Sequence, residues 1–298
     1  MTSTPLTAAE AVDRLAGVRG IMFDIDGCLV ISDGPAGQDG RPLEGAAESI
    51  ELAKSSGRKY CVFTNGTAQR PSEIAHHLRE LGIDVPDELV LTPAIVAAEV
   101  VKARFGDQPV LVFGAEGMLA DFRERGVNLV DVATARHGAE TGAKAVVVGW
   151  DTDFGKAKIQ LAAEAILAGA ELYCTSYARA FASKDRLNVG VSGFITEGLR
   201  FVTGIESFEV LGKPSPHAMQ IISTLIDVPI DQILVIGDDI NLESAMARHT
   251  GAVAGLVTTG TSTRDDAAEC DPAITPEIIV DTMTDLNALF AQADAPRP

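Results

Sequence analysis

Two aspartates separated by one residue, Asp24 and Asp26, close the apolar run Ile21-Met22-Phe23 and are followed at once by Gly27. Side chains i and i+2 share a face of a strand, so the two carboxylates leave it together. Like charges this close resist joint ionisation unless a cation or a proton intervenes. Both remedies suit phosphoryl transfer: a Mg²⁺ ion on an oxygen of Asp24 and a proton held by Asp26. Gly27 permits the sharp departure of the backbone. A surface turn or a helix cap uses the same residue types, but a charged pair behind three apolar residues is costly unless it has work to do.

Three further segments offer complementary groups. Thr64-Asn65-Gly66 follows Tyr60-Cys61-Val62-Phe63 and supplies a hydroxyl, an amide and main-chain N–H groups, all able to bind phosphate oxygens; the same triplet is an ordinary turn signal. Lys213, between Gly212 and Pro214, is a point charge that can hold a phosphate or moderate a carboxylate, although in isolation it reads as a solvated loop lysine. Gly237-Asp238-Asp239, with Glu243 beyond it, follows Ile233-Leu234-Val235-Ile236 and offers the oxygen ligands that Mg²⁺ requires. One of these acids can instead cap the next helix. Neither a Walker A loop nor a Gly-x-Gly-x-x-Gly fingerprint occurs. The stretch Gly255–Thr263 is rich in Gly and Thr and is read as a loop.

These residues need strands to carry them. Apolar, β-branched runs alternate with longer amphipathic segments, which predicts an α/β protein with parallel strands buried on both faces. Strands are expected at Arg19–Ile25, Lys59–Phe63, Pro109–Phe113, Ala145–Gly149, Glu171–Thr175 and Gln232–Ile236. Helices are expected at Leu43–Ser55, Pro71–Leu81, Thr92–Phe105, Glu116–Arg125, Lys156–Ala168, Ser215–Ile226, Leu242–Arg248 and Asp281–Phe290. Each chemical candidate falls past a strand's carboxyl end, where open parallel sheets bind ligands. Those candidates group near 24–65 and 213–243, and the intervening stretch has its own strand and helix pattern, long enough for an inserted domain. The expected division is a core from 1–84 and 191–298, with an insert at 85–190.

Composition narrows the partners. The 298 residues carry 42 acidic and 24 basic side chains, a formal net charge of −18 that opposes nucleic acid and anionic membranes. A phosphate substrate of the same sign then needs a local cation to reverse the field in a cleft. No apolar run approaches the ~18–20 residues that span a bilayer, and Met1–Glu10 lacks signal-peptide features, so a cytoplasmic location is expected. Cys28, Cys61, Cys174 and Cys270 form no CxxC pair, and Cys28 is read as a buried apolar residue despite its place beside the acidic pair. The adjacent His76 and His77 are read as surface residues.

The four segments in this order resemble the haloacid dehalogenase (HAD) superfamily over nearly the whole chain. Within it, Val146-Val147-Val148-Gly149-Trp150-Asp151, Ala168-Gly169-Ala170 and Gly212-Lys213-Pro214-Ser215-Pro216 are similar to the C2-capped subgroup of NagD-like and 4-nitrophenylphosphatase-like enzymes. The resemblance implies a doubly wound parallel-sheet core with an inserted α/β cap of the C2 type. It implies a Mg²⁺-dependent phosphatase of small phosphorylated metabolites, working through an aspartyl-phosphate. Asp24 would be the nucleophile and Asp26 the general acid and base. Thr64, Asn65 and Lys213 would hold the phosphate. Asp24, the main-chain carbonyl of Asp26 and Asp238 would hold the metal, with Asp239 or Glu243 in support. It also implies a homodimer through the cap.

Three departures from the subgroup stand out. Glu243 replaces a usual Asp, implying metal contact through water; Thr175-Ser176-Tyr177-Ala178 lacks a carboxylate common in that cap segment; and Ser32 to Arg41, over the cleft, is longer than usual. A phosphotransferase would use the same intermediate with an alcohol in place of water. A non-enzymatic receiver domain also combines Asp, Thr and Lys, but carries its phospho-acceptor on a later strand and needs no insert.

Overall fold

A computed structural model describes residues 4–32, 40–182 and 188–296. The chain enters the main sheet at β1 (Gly20–Phe23), forms a short antiparallel ribbon from β2 (Val30–Ile31) and β3 (Arg41–Pro42), and returns as β4 (Lys59–Phe63) and β5 (Val90–Leu91). β6 (Val110–Phe113), β7 (Ala145–Val148) and β8 (Glu171–Cys174) build a second parallel sheet. A second ribbon, β9 (Ala180–Phe181) with β10 (Asn188–Val189), precedes β11 (Glu209–Val210), which pairs with β8. β12 (Ile233–Gly237), β13 (Val253–Val257) and β14 (Ile278–Val280) complete the main sheet.

The main sheet runs β14-β13-β12-β1-β4-β5, all parallel. From β1 the chain moves outward to β4 and β5, and from β12 outward to β13 and β14. The winding therefore reverses between β1 and β12, and such a switch point opens a crevice at the carboxyl edge of the strands. Alternation along β1 explains why the sheet is covered twice. Ile21 and Phe23 pack with Leu15, Ile50, Leu286 and Phe290 on one face, whereas Met22 packs with Cys61, Met219, Ile222 and Met246 on the other. In the second sheet, Leu111, Phe113, Val146 and Val148 bury one face against Leu161, Ile166, Ile195 and Leu199.

Most expected elements form within a few residues of their expected limits. The Leu43–Ser55 helix begins later, at Ala46, because Gly45 caps it in the left-handed region, at φ +82°. Leu242–Arg248 becomes a π-helical turn, Ile240–Ser244, followed by helix Ala245–Thr250. Gly255–Thr263 is no simple loop: Gly255 to Val257 are strand, paired to β12 and β14. Gly255 and the Thr-rich stretch beyond Val257 hide a strand that backbone pairing on both edges stabilises. Sheet membership also differs from the 85–190 limits of the insert. Val90 pairs with Val62 in the main sheet, while helix Val191–Thr203 and β11 belong to the second. Motif spacing fixed those limits, and spacing carries no information on which edge a strand joins. Most of the Ser32–Arg41 segment and the expected loop Ser183-Lys184-Asp185 lie outside the described residues.

Candidate active site

The two central strands deliver the acidic groups. Asp24 follows β1, and its N–H continues the ladder by donating to the Ile236 carbonyl at 2.9 Å. The chain then turns tightly, with Gly27 N–H donating to Val30 O at 2.8 Å. Gly27 sits at φ +87°, and a Cβ there would lie 2.4 Å from Asp238 Oδ2. The turn after β1 and the carboxylate after β12 thus approach closely only because residue 27 lacks a side chain.

Lys213 is the central cation. Its Nζ contacts Asp24 Oδ1, lies 2.6 Å from Glu243 Oε1 and donates to the Phe63 carbonyl at 3.1 Å. Asp24, Lys213, Asp238 and Glu243 are all buried. Burial works against the Lys213 charge, yet the Asp24 and Glu243 carboxylates hold its pKa above the usual lysine range. Burial raises Asp24 well above the usual carboxylate range despite Lys213, with Glu243, Asp238 and Asp26 adding to the effect. Burial and the nearby Glu243 push Asp238 up to about 7. Asp239, half-buried, is also raised, by burial and by Glu243.

Five acids gathered around one lysine leave surplus negative charge. The raised pKa values of Asp24, Asp238 and Asp239 mark a site whose charge is incompletely balanced by the protein alone, as a site for a divalent cation would be. The oxygen donors expected for Mg²⁺ fit this chemistry: two side-chain carboxylates, Asp24 and Asp238, and one main-chain carbonyl, that of Asp26. Among the described residues no group of three or more His, Cys, Asp or Glu side chains is placed to hold a metal.

The other expected residues sort into distinct places. Thr64 Oγ1 donates to Asp26 Oδ2 at 3.3 Å and accepts from Gly66 N–H at 3.0 Å. Asn65 turns its amide onto Lys213 instead of into the cleft: Oδ1 accepts from Lys213 N–H at 2.9 Å, and Nδ2 donates to Lys213 O at 3.4 Å. Its side chain therefore fixes the lysine. Glu243, expected near a metal, has Oε1 on Lys213 and accepts the Asp239 N–H through Oε2 at 3.1 Å. The Asp239 carboxylate caps the turn that follows, accepting from Asn241 N–H at 2.8 Å.

Sequence reasoning set aside residues that contribute to the site. Thr261 N–H donates to Asp238 Oδ2 at 2.6 Å, and Thr259 Oγ1 donates to Gly27 O at 2.5 Å. Their signal was Ala252–Val257, an apolar run ending in Gly and Thr at a carboxyl edge, as the other site strands do. Trp150 and Phe181 stand beside Asp26, with ring centroids 6.4 Å apart, and Trp150 N–H donates to Thr67 Oγ1 at 3.0 Å. Ala180, Phe181 and Ala182 also border Asp24, Lys213 and Asp238. The thiol of Cys28 is buried near Ile236 O and Met283, its pKa raised by burial, so it is no nucleophile. His76 and His77 stay at the surface near Glu80.

A doubly wound sheet with an acidic, lysine-centred cleft at its switch point, and a second sheet contributing the cleft's far wall, defines a hydrolase. A family model described as haloacid dehalogenase-like hydrolase matches residues 21–128, and a second, HAD-hydrolase-like model matches 210–286. The chain is 26% identical to chronophin of Homo sapiens, over 94% of this chain and 96% of that protein. It is 29% identical to the phospholysine phosphohistidine inorganic pyrophosphate phosphatase of Rattus norvegicus, over 95% and 98%. Among solved structures, a glycerol phosphate phosphatase from Mycobacterium tuberculosis in complex with magnesium superposes with a TM-score of 0.80 at 26% identity, covering 95% of this chain and 81% of that one. A 4-nitrophenylphosphatase from Thermotoga maritima gives 0.81 at 23% identity, covering 93% and 99%, a likeness of fold. The chain belongs to the haloacid dehalogenase-like hydrolases.

Proposed function

We propose that this protein is a Mg²⁺-dependent phosphatase that hydrolyses small phosphate monoesters through an aspartyl-phosphate on Asp24. The observation that carries this reading is the Asp24 carboxylate, buried at the switch point and held by Lys213, with Asp26 two residues away. Asp24, the Asp26 carbonyl and Asp238 would hold the metal, which supplies positive charge for the phosphate oxygens when bound.

In the first step a carboxylate oxygen of Asp24 attacks phosphorus, and the bond from phosphorus to the leaving oxygen breaks as Asp26 gives that oxygen its proton. In the second, Asp26 takes a proton from water while the water oxygen displaces Asp24, returning both carboxyl groups to their starting states and releasing phosphate. Lys213 stays charged throughout and counters the negative charge of the transferred group. Thr64, bonded to Asp26, orients the proton carrier. Trp150 and Phe181 restrict what may leave and keep water away from the first step.

We further propose that the unit from helix Pro93–Phe105 to β11 is the cap of this enzyme, and that it mediates a homodimer. Phe194 and Phe201, one face of helix Val191–Thr203, are 82% and 88% exposed, which favours such a contact. The four free cysteines support a cytoplasmic location.

Asp24→Asn tests the central reading. The variant is expected to fold normally and to release phosphate from a monoester at least about 10³-fold more slowly, because the nucleophile is lost. Near-normal turnover in that variant rejects the assignment, and wild-type protein that releases one equivalent of the leaving alcohol while retaining the phosphoryl group indicates a phospho-acceptor.

A further inference from the structure

Away from the carboxylate site, a cavity of about 740 Å³ opens where helices of the two sheets meet. One wall is the start of helix Pro71–Glu80 together with helix Pro216–Ile226, which follow β4 and the Lys213 turn of the main sheet. The opposite wall is helix Glu116–Glu124, which follows β6 of the second.

Asp121, on that opposite wall, is 2% exposed, and its Oδ2 has no hydrogen-bond partner. Buried carboxylate oxygens are nearly always satisfied, so an orphan facing a cavity calls for a donor from outside the chain. The neighbouring guanidiniums do not supply one. Arg125 gives Nε to Glu99 at 3.0 Å and Nη1 to the main-chain carbonyl of Asp121 at 3.3 Å, and Arg70 pairs through Nη2 with Glu124. Arg70 Nε is itself buried without an acceptor.

The charge of the lining sets the sign of a ligand. Four carboxylates (Glu88, Glu99, Asp121 and Glu124) face two guanidiniums, those of Arg70 and Arg125, and a fifth, Asp87, pairs with Arg79. Ile95, Ile221 and Leu225 add an apolar surface. A small cavity with apolar walls and a few convergent polar atoms is the usual form of a ligand site.

We propose that this cavity binds a small organic cation, a primary or secondary ammonium on an apolar body, with the ammonium donating to Asp121 Oδ2. An oxygen on the same molecule would accept from Arg70 Nε. Burial pushes Asp121 up to about 6 against the pull of Arg125 and Arg70, and an ammonium in contact would restore its charge. The bound molecule touches both units of the fold, so occupancy holds the junction between them.

Titration of the intact, metal-free protein with n-hexylammonium and, separately, with n-hexanol tests the proposal without reference to catalysis. Thermal shift and amide NMR report binding. The expected result is saturable binding of hexylammonium, a weaker response to hexanol, and at least a tenfold loss of hexylammonium affinity in Asp121→Asn. Leu225→Trp, which fills the mouth of the cavity and leaves Asp121 in place, is expected to abolish binding and decides the matter if Asp121→Asn fails to fold. Equal responses to the amine and the alcohol, or wild-type affinity in either folded variant, overturn the proposal. Neither result bears on Asp24.

Discussion

Lys213 is a fully enclosed ammonium whose stem crosses the apolar interior to reach two carboxylates and a carbonyl. Such an ion is tolerated only while its partners compensate it, and they depend on it equally. Lys213→Met would leave Asp24 and Glu243 buried and uncompensated. We expect that variant, free of metal, to lose about 3–5 kcal/mol by urea denaturation near neutral pH. The loss should deepen as pH rises, because carboxylates stripped of their cation hold protons more tightly folded than unfolded, and stability from such groups is lost once they must ionise. A loss that does not change with pH would show that the lysine serves packing alone. At this scale the sequence was informative about identity and less so about partnership. Asp24, Asp26 and Asp238 could be read from residue type behind an apolar run, whereas Lys213 alone reads as a loop lysine and stood out only through the family resemblance. That Asn65 grips the Lys213 main chain, and that Glu243 meets its ammonium, depends on contacts 148 and 30 residues apart in the chain, which no local pattern encodes.

Strand ends placed the chemistry, and the turns after them set its precision. The turn after β1 is the most constrained, with Gly27 both at positive φ and within contact of Asp238. Gly27→Ala should cost about 1–2 kcal/mol from the left-handed backbone alone, with Asp238 displaced as well. Activity is therefore expected to fall further than thermal stability, with both measured on one preparation. An alanine variant with wild-type turnover would show that the close approach of the two strand ends is not needed. Long apolar runs such as Ile233–Ile236 announced their strands. The run Val253–Val257 did not, because Ala254 and Gly255 dilute it and the Thr-rich turn beyond looks like loop; only pairing on both sides makes it a strand. Val90–Leu91 is too short for any periodicity to register.

Across the whole molecule, the acid excess and the two-sheet plan act together. A net charge of −18 keeps copies apart, so association needs an apolar patch that outweighs it, and Phe194 with Phe201 is the candidate. Replacing both by Ser should convert a dimer to a monomer in gel filtration or light scattering, with phosphatase activity per chain largely retained if the cap closes on its own core. A wild-type protein that elutes as a monomer at micromolar concentration would remove the dimer proposal. The α/β class and the presence of an insert were readable from alternation and from the distance between motifs. Where the insert begins and ends was not, since sheet membership is decided by pairing. That pairing has a consequence for synthesis. β1 takes one neighbour, β4, from nearby chain, but its other neighbour, β12, emerges from the ribosome far later, and 189 residues separate Asp24 from Lys213. The nascent protein must therefore shelter a half-built sheet edge while the entire second unit is made, and it acquires its reactive centre only near the end of translation. On the proposed assignment, a chain cut short before Lys213 and Asp238 lacks the site's cation and its second metal-holding carboxylate.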